Sequence, residues 1–177
     1  MATLATGTKI ADIGFAQMPN PYLKGEAVLG IDPNAVDNSK IYSKVFKGTL
    51  SSYITLNPES FFDTVIAGEI LEHIEEPIKF LRECFTILED GGKLVLSTPN
   101  PNSFIERILT LTLNRRFFYT TDHIMLFPQR WLIRMLEVAG FKDVRLYSGG
   151  FPVPYLGLIP FPRAWCYQTI AVAQKKL

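Results

Sequence analysis

Two hydrophobic patterns alternate along this chain. Short apolar runs that end at glycine, proline or charged residues are typical of buried strands, and apolar residues that recur every three or four positions are typical of helices. Seven runs of the first kind predict strands: Lys9–Ile13, Ala27–Ile31, Lys44–Lys47, Phe62–Ala67, Leu94–Ser97, Val144–Tyr147 and Thr169–Ala173.

The helical repeat occurs in three places. One helix is predicted to begin at Pro77, which suits a first helical turn, and to end at Gly91-Gly92. A second is predicted over residues 103–113, and a third begins at Pro128 and has Gly140 as its cap. The apolar face of the first helix is formed by Ile78, Leu81, Cys84, Phe85 and Leu88.

The order of these elements predicts a single α/β domain covering residues 1–177. Strands that alternate with helices form a largely parallel sheet with helices on its faces, which is a three-layer sandwich. We expect seven strands, mostly parallel. The connection between the first two strands carries Pro19 and Pro21, which interrupt a helix. The amino-terminal half of the sandwich is therefore expected to be pared down.

Composition narrows the choice of partners. Hydrophobic residues make up 47% and charged residues 20% of the chain, and the net charge is +1. Because nucleic-acid binding normally requires a basic patch, we expect no nucleic-acid partner. The chain starts without a signal-peptide pattern and has no apolar run of membrane-spanning length, so we expect no transmembrane segment and a cytoplasmic location.

Polar residues gather after two of the predicted strands. Gly68-Glu69 and Glu72-His73 follow one strand, and Ser97–Asn100 ends the next. Ligands of open parallel sheets bind beyond the carboxyl ends of the strands. His73 and His123 are the only two histidines, and each is either a titrating group at this edge or a structural hydrogen-bonding residue. Two histidines without a matching carboxylate pattern predict no metal site.

A second candidate lies at the end of the first strand. Asp12-Ile13-Gly14 places a glycine where backbone can approach a ligand, and Asp32 follows the second strand, where an acid can hold ribose hydroxyls. The full G-x-G-x-x-G pattern of dinucleotide-binding domains is absent. The alternative interpretation is an ordinary turn at a strand end.

The stretch from Phe151 to Trp165 is rich in proline and aromatic residues. An exposed apolar stretch of this length indicates an interface, such as a homodimer contact, or a site for an apolar ligand. A segment that folds back over the sheet and completes the core is the alternative.

Together these pieces resemble the class I S-adenosylmethionine-dependent methyltransferases, in particular the small-molecule, type 11-like branch with a Rossmann-like sheet. The resemblance covers most of the chain. Its matching pieces are IADIG (10–14), VLGID (28–32), FFDTVIAGEILEHIEEP (61–77), LEDGGKLVLSTPN (88–100) and LFPQRWLIRMLEVAGF (126–141).

The resemblance implies a role for each candidate residue, with S-adenosylmethionine as the cofactor. On the cofactor side, it implies that Asp12 and Gly14 border the methionine end and that Asp32 holds the ribose hydroxyls. It places the adenine beside Thr49 and Leu50. Three residues after the fourth strand then hold the cofactor's amino group, namely Ala67, Gly68 and Glu69. On the acceptor side it implies His73, His123 and Asn100.

The chain departs from the family pattern in its amino-terminal half. Phe15, Ala16 and Met18 stand in a loop that is usually glycine-rich, and Thr49 stands where an acid is common. We expect that the helix which normally precedes the first strand is missing. Bulky side chains in the loop would crowd the cofactor, so the cofactor fits only if Phe15 and Met18 point away from the cleft.

Two functions therefore remain open at this stage. The first is methyl transfer to oxygen or nitrogen of a small-molecule acceptor, with a sugar or a lipid-linked compound as examples. The second is a non-catalytic binding or interaction domain that keeps the fold and has lost the cofactor. A domain that binds NAD is disfavoured because the G-x-G-x-x-G pattern is absent.

Overall fold

A computed structural model describes residues 1–15, 20–23, 27–36, 41–112, 123–153, 155 and 157–176. Met18 of the glycine-loop prediction and Ala16 lie outside the described residues. The strands are β1 (Ile10–Ile13), β2 (Val28–Asp32), β3 (Lys44–Lys47), β4 (Phe62–Gly68), β5 (Leu88–Pro99), β6 (Lys142–Ser148), β7 (Phe151–Val153), β8 (Gly157–Ile159) and β9 (Gln168–Gln174). The helices are α1 (Leu50–Leu56), α2 (Pro77–Thr86), α3 (Phe104–Thr112) and α4 (Gln129–Ala139), with short 3-10 helices at Ala2–Leu4 and Leu71–His73.

Seven strands form the main sheet, in the order β3-β2-β1-β4-β5-β9-β6. The pairs from β3 to β5 are all parallel, and β9 runs antiparallel to both of its neighbours. This topology confirms the predicted fold class. The carboxyl ends of β1, β2 and β4 lie at one edge of the sheet, because parallel strands point the same way.

The two faces of the sheet are covered differently. Successive strand residues point to opposite faces, and the residues of one face form a core with α1, α2 and α4, through side chains such as Tyr53, Leu81 and Leu136. The opposite face carries a smaller cluster, which the amino-terminal residues 1–5 help to cover. We call this smaller cluster the second-face core. Its buried members are Phe15, Leu23, Val28, Ala35, Tyr42, Ile66 and Val95.

The end of α2 differs from the prediction. The helix stops at Thr86 with Ile87 in a right-handed conformation, so it needs no glycine cap. Gly91 and Gly92 lie within β5, where the register of its pairing with β4 shifts. A Cβ on Gly92 would lie 2.8 Å from the carbonyl oxygen of Glu89. Glycine is therefore required here by a close backbone approach within a bulged strand.

Helix α1 and the strands β7 and β8 were not predicted. Thr49 caps α1, because its side chain accepts the backbone N–H of Ser52. The strands β7 and β8 pair as a small separate hairpin inside the segment 151–165. Tyr155 at its turn is fully exposed and Trp165 is 52% exposed. The proposed contact through this segment stays a prediction.

Among the described residues, no helix is both long and apolar enough to cross a membrane.

Candidate functional site

A cavity of about 300 Å³ opens beyond the carboxyl ends of β1 and β2 and reaches the starts of α1 and α2. Gly14, Thr49 and Leu50, three of the residues that the resemblance assigns to the cofactor, line it. Its walls are largely apolar and include Ile13, Ile31, Ile70 and Phe80, while Glu75, Glu76, Lys79 and Glu83 supply charged groups. Apolar walls with a few polar groups suit a nucleoside.

Gly14 makes the closest backbone approach in this cavity. Its φ of +74° lies in the left-handed region, and its N–H donates to the carbonyl oxygen of Ile31 at 2.9 Å. A Cβ on Gly14 would lie 2.3 Å from Cδ1 of Ile70. Both the conformation and the space therefore require glycine at this position.

Asp32 ends β2 between Ile31 and Pro33, which both line the cavity. Its side chain is buried, and Oδ1 accepts the N–H of Asn34 at 2.6 Å. Its carbonyl oxygen accepts the N–H of Gly48 at 3.2 Å. This bond ties the end of β2 to the loop that carries Thr49. Thr49 lines the cavity, whereas the predicted contact of Asp32 with the ribose stays a prediction.

Phe15 points away from the cavity. It is buried in the second-face core, where its ring packs edge-on against Tyr42 with centroids 5.0 Å apart. Gly30 makes room for both rings, because a Cβ there would lie within 2.6 Å of each. The condition that the sequence set for Phe15 is met: its ring lies on the face of the sheet opposite to the cavity.

Asp12 also belongs to the second-face side of the sheet. It is 5% exposed, and its carboxylate accepts a short hydrogen bond from the hydroxyl of Tyr42. The same hydroxyl oxygen accepts the N–H of Asn20 at 2.7 Å. Burial raises the pKa of Asp12 to about 6, although the Tyr42 hydrogen bond acts in the opposite direction. Asp12 lies next to the cavity-lining Ile13 but is bonded on the opposite face, and its predicted contact with the cofactor stays a prediction.

The end of β4 carries Ala67, Gly68 and Glu69. Ala67 is fully buried in the core, and a Cβ on Gly68 would lie 3.5 Å from the sulfur of Met1. Glu69 has a φ of +49°, which is uncommon for a residue with a side chain. Its N–H donates to the carbonyl oxygen of Ser97 at 3.1 Å. The predicted contact of these three residues with the cofactor's amino group stays a prediction.

A second polar group lies just beyond this strand end, and we call Glu72, His73 and His123 the acid–histidine cluster. One ligand-type atom from each residue lies within 4.8 Å of the others. The two imidazole rings are in edge-on contact with centroids 4.8 Å apart. Nε2 of His123 lies 3.9 Å from Oε1 of Glu72. The structure thus brings together the two histidines that the sequence named separately.

The backbone of Glu72 holds the segment that carries His123. Its carbonyl oxygen accepts the N–H of Ile124 at 2.9 Å and that of Met125 at 3.4 Å. Burial raises the pKa of Glu72, and burial followed by the charge of Glu72 raises the pKa of Glu69 to about 7. Raised carboxyl pKa values at a strand end are typical of functional sites.

Asn100 is fully buried, and its side chain is engaged in the fold. Its amide nitrogen donates to the carbonyl oxygens of Ala164 at 3.2 Å and Cys166 at 2.9 Å, and its amide oxygen accepts the N–H of Asn102. These bonds fasten the end of β5 to the segment before β9. A direct contact of Asn100 with substrate stays a prediction.

Sequence reasoning placed Glu72 in a polar group beside His73 but gave it no role, and it missed Ile70. The spacing was visible, because Glu69, Glu72 and His73 fall within five positions. However, the pairing of Glu72 with His123 depends on a contact between residues about fifty positions apart, which no local pattern carries. One short segment serves both regions: Ile70, Ile74 and Glu75 line the cavity, whereas Glu72 and His73 belong to the acid–histidine cluster.

Fold and cavity together define an α/β domain with a nucleoside-sized site at the switch of its sheet. A family model described as a methyltransferase domain matches residues 15–146, which is most of the chain. The chain therefore belongs to this family of methyltransferase domains. The family implies S-adenosylmethionine as the cofactor, in agreement with the sequence prediction. The largely apolar cavity that Gly14 borders suits the adenosyl part of that molecule.

Curated relatives carry more specific names. The ubiquinone biosynthesis O-methyltransferase of Bradyrhizobium sp. (strain ORS 278) is 31% identical over 106 residues, covering 55% of this chain and 42% of that protein. The mitochondrial ubiquinone biosynthesis O-methyltransferase of Rattus norvegicus is 34% identical over 110 residues, covering 54% of this chain and 32% of that protein. The chain therefore spans less than half the length of these relatives.

Solved structures agree on the fold. A SAM-dependent methyltransferase from Thermotoga maritima, described as a possible histamine N-methyltransferase, matches with a TM-score of 0.74 and 18% identity, over 98% of this chain and 84% of that one. A SAM-dependent methyltransferase from Archaeoglobus fulgidus matches with a TM-score of 0.66 and 18% identity, over 94% and 86% of the two chains. At this identity the match shows the fold alone.

Proposed function

We propose that this chain transfers a methyl group from S-adenosylmethionine to an oxygen atom of a small hydroxylated acceptor. Its curated relatives named above are O-methyltransferases, which favours oxygen over nitrogen. The observation that carries the proposal is the segment 69–76. It lines the cavity with Ile70 and Ile74 and supplies Glu72 and His73 to the acid–histidine cluster.

On the cofactor side, the chain supplies shape and a few polar groups. Thr49 and Leu50, which line the cavity, would meet the adenine. The carboxylate of Asp32 would hold the ribose hydroxyls, and the backbone at Gly14 would border the methionine end. When bound, S-adenosylmethionine would supply an electrophilic methyl group, with its sulfur as the leaving group. Residues that fix the cofactor contribute by alignment, which dominates the rate of such displacements.

On the acceptor side, a hydroxyl must lose its proton as the new bond forms. The acid–histidine cluster lies at the end of β4, one short 3-10 helix from the cavity. Its imidazoles and carboxylate are the groups that would activate the hydroxyl and accept the proton. Glu72 positions His123 both by its carboxylate and by its backbone carbonyl oxygen.

The surroundings of His123 favour an acceptor with an apolar part. Ile124 is 53% exposed and Leu126 is 42% exposed, so apolar side chains face outward directly beside the cluster. Exposed apolar groups at a site rim are suited to an apolar ligand. We therefore propose a hydroxylated aromatic compound with an apolar tail, which accords with the lipid-linked acceptors considered from sequence.

An acceptor panel tests this proposal. The chain is incubated with S-adenosylmethionine and one of three compounds: an alkylated catechol, an aromatic amine or a monosaccharide. Formation of S-adenosylhomocysteine is followed by mass spectrometry. We expect product with the catechol, little with the other two, and a loss of at least about tenfold in His123→Gln. Preference for the amine would overturn oxygen as the methylated atom.

The panel also addresses the non-catalytic alternative. That alternative predicts that no acceptor increases product formation in any condition. Absence of both cofactor binding and turnover would favour that alternative, whereas product with the catechol would exclude it.

A further inference from the structure

We propose that this chain carries a second ligand site, at the edge of the sheet opposite to the cavity at Gly14, and that this site binds a small aromatic carboxylic acid. A cavity of about 690 Å³ lies there, beside the amino ends of β1, β2, β3 and β4. We call it the amino-edge cavity. None of the described residues lines both cavities, so the ligand of the amino-edge cavity does not depend on methyl transfer.

The amino-edge cavity exists because α1 is too short to cover the strands beneath it. α1 begins with Leu50, which lines the cavity at Gly14, and its seven residues span about 10 Å. The five residues of β2 span about 17 Å. Leu29 of β2 and Phe46 of β3 pack against the main core but are only partly buried, and both line the amino-edge cavity. Apolar strand surface is therefore left open to a ligand.

Four aromatic rings line the amino-edge cavity. Phe46 and Tyr53 are in edge-on contact with ring centroids 5.2 Å apart, and the rings of Tyr53 and Phe62 are 6.2 Å apart. Phe61 is the most accessible of the four, with 43% of its surface exposed. Aromatic pairs are stabilised by edge-on and offset contacts at such distances. A planar ring that enters the cavity would extend this set of contacts.

The charges of the lining favour an anionic group on the ligand. Lys9 and Lys44 are exposed residues of the lining, and Glu59 is the one acid among its described members. The ammonium of Lys9 lies 3.5 Å from the carboxylate of Glu89. Lys44 makes no ion pair with any described residue. A carboxylate on the ligand would give Lys44 a partner of opposite charge.

Hydrogen bonds hold the lining in place. The hydroxyls of Tyr53 and Ser60 are hydrogen-bonded at 2.8 Å, and the side-chain nitrogen of Asn57 donates to the carbonyl oxygen of Tyr53 at 3.1 Å. The hydroxyl of Ser43 donates to the carbonyl oxygen of Val28 at 2.7 Å. A pre-formed cavity of this volume, with aromatic walls and a few polar groups, is typical of a site for a small molecule.

The amino-edge cavity shares β3 and α1 with the rest of the catalytic domain. Leu50 and Tyr53 lie one turn apart on α1, and they line the cavity at Gly14 and the amino-edge cavity respectively. A helix of seven residues is marginal without tertiary contacts, so a ligand packed against its end would stabilise it. We expect the aromatic acid to raise the affinity for S-adenosylhomocysteine about fivefold, and S-adenosylhomocysteine to raise that for the acid by the same factor.

Calorimetry with three matched probes tests the ligand class. Phenylpropionate carries a ring and a carboxylate, phenylpropylamine carries the ring with the opposite charge, and hexanoate carries the carboxylate without the ring. We expect one molecule of phenylpropionate to bind with sub-millimolar affinity. The other two probes should bind at least about fivefold more weakly, because each lacks one of the two groups that the lining favours.

Two pairs of variants test the location. Lys44→Gln and Lys47→Gln change exposed lysines of the same strand, of which only Lys44 lines the cavity. Phe61→Ala and Phe104→Ala truncate exposed phenylalanines, of which only Phe61 lines it. We expect Lys44→Gln and Phe61→Ala each to weaken phenylpropionate binding about fivefold and the other two variants to leave it unchanged. Thermal unfolding confirms that all four proteins fold.

Three outcomes would overturn the second site. These are no binding of phenylpropionate at millimolar concentration, equal or tighter binding of phenylpropylamine, or wild-type affinity in both Lys44→Gln and Phe61→Ala. S-Adenosylhomocysteine is titrated with and without saturating phenylpropionate. An unchanged affinity would overturn the coupling between the cavities, whereas loss of S-adenosylhomocysteine binding altogether, with phenylpropionate still bound, would count against the proposed function alone.

Discussion

Gly14 and Phe15 are neighbours in sequence, but they serve opposite faces of the sheet. Gly14 lines the cavity, and Phe15 belongs to the second-face core. Gly14 borders an open, largely apolar cavity. Phe15 is buried on the opposite face against Tyr42, whose hydroxyl also binds Asp12. The loop has lost most of its expected glycines, yet its first bulky residue fills the core and leaves the cavity open.

The two neighbouring positions therefore meet different structural requirements. On the cavity side, Gly14 has a left-handed backbone, and Ile70 lies where its Cβ would be. The core side needs volume, because the described residues on this face include no long helix to cover it. An aromatic residue after Gly14 is therefore compatible with a cofactor site, since it stabilises the face opposite to the cavity.

Phe15→Ala should break the second-face core while sparing the cavity. Removing a buried ring leaves a void, so we expect a loss of about 3 kcal/mol in the free energy of unfolding. Affinity for S-adenosylhomocysteine should change less than about threefold when measured under folded conditions. Chemical denaturation and calorimetry measure the two quantities.

Phe104→Ala is the control for this change. Phe104 is 59% exposed on α3, so its truncation should alter stability by less than about 0.5 kcal/mol. A large loss of affinity in Phe15→Ala with unchanged stability would place the ring in the cavity and contradict the account.

Asp12→Asn should sharpen the comparison through pH. The pKa of Asp12 is raised from its ordinary value to about 6 in the folded protein, so the folded state holds this proton more tightly than the unfolded state does. The stability from Asp12 is present below about pH 4 and is lost as pH rises through about 6. Asparagine keeps an acceptor for Tyr42 and cannot ionise.

The difference in unfolding free energy between wild type and Asp12→Asn should change with pH. Relative to Asp12→Asn, wild type should lose about 2 kcal/mol of unfolding free energy between pH 4 and pH 7. Urea denaturation at several pH values measures this. Parallel pH profiles for the two proteins would show that Asp12 has no raised pKa.

Gly14→Ala should break the cavity side while sparing the core. The added Cβ would contact Ile70, which also lines the cavity, and the left-handed backbone would be strained. We expect affinity for S-adenosylhomocysteine to fall about tenfold, or about 1.4 kcal/mol.

Gly91→Ala provides the matched control. Gly91 has a similar φ of +82° but no atom within 4 Å of an added Cβ. It should lose about 1 kcal/mol of stability from backbone strain and keep its affinity. Equal affinity in the two variants would show that the space beside Gly14 does not serve the cofactor.

Much of the fold was predictable because its signals are local. Buried strands such as β4 read as apolar runs, and α4 begins after Pro128 and ends at Gly140, whose φ of +112° requires glycine. The predicted end of α2 was wrong. Gly91-Gly92 has the composition of a helix cap, but these residues lie in a bulge of β5. A bulge is defined by its pairing with β4, which sequence does not display.

The site was predictable in part for the same reason. Gly14, Thr49 and Leu50 follow strand ends and do line the cavity. The direction of Phe15 depends on Gly30 and Tyr42, residues of other segments that leave and fill the space around its ring. The cluster of Glu72 with His123 depends on a loop that returns to the end of β4. Both are tertiary contacts between distant residues.

Calorimetric titration with S-adenosylhomocysteine tests the central claim that the cavity at Gly14 holds the cofactor. The matched pair is Asp32→Asn, at the cavity, and Asp90→Asn, which makes the same change at an exposed residue of β5. The account predicts micromolar binding to wild type and Asp90→Asn, weakened at least about tenfold in Asp32→Asn. No binding to wild type at millimolar ligand, or equal binding to all three proteins, would contradict it.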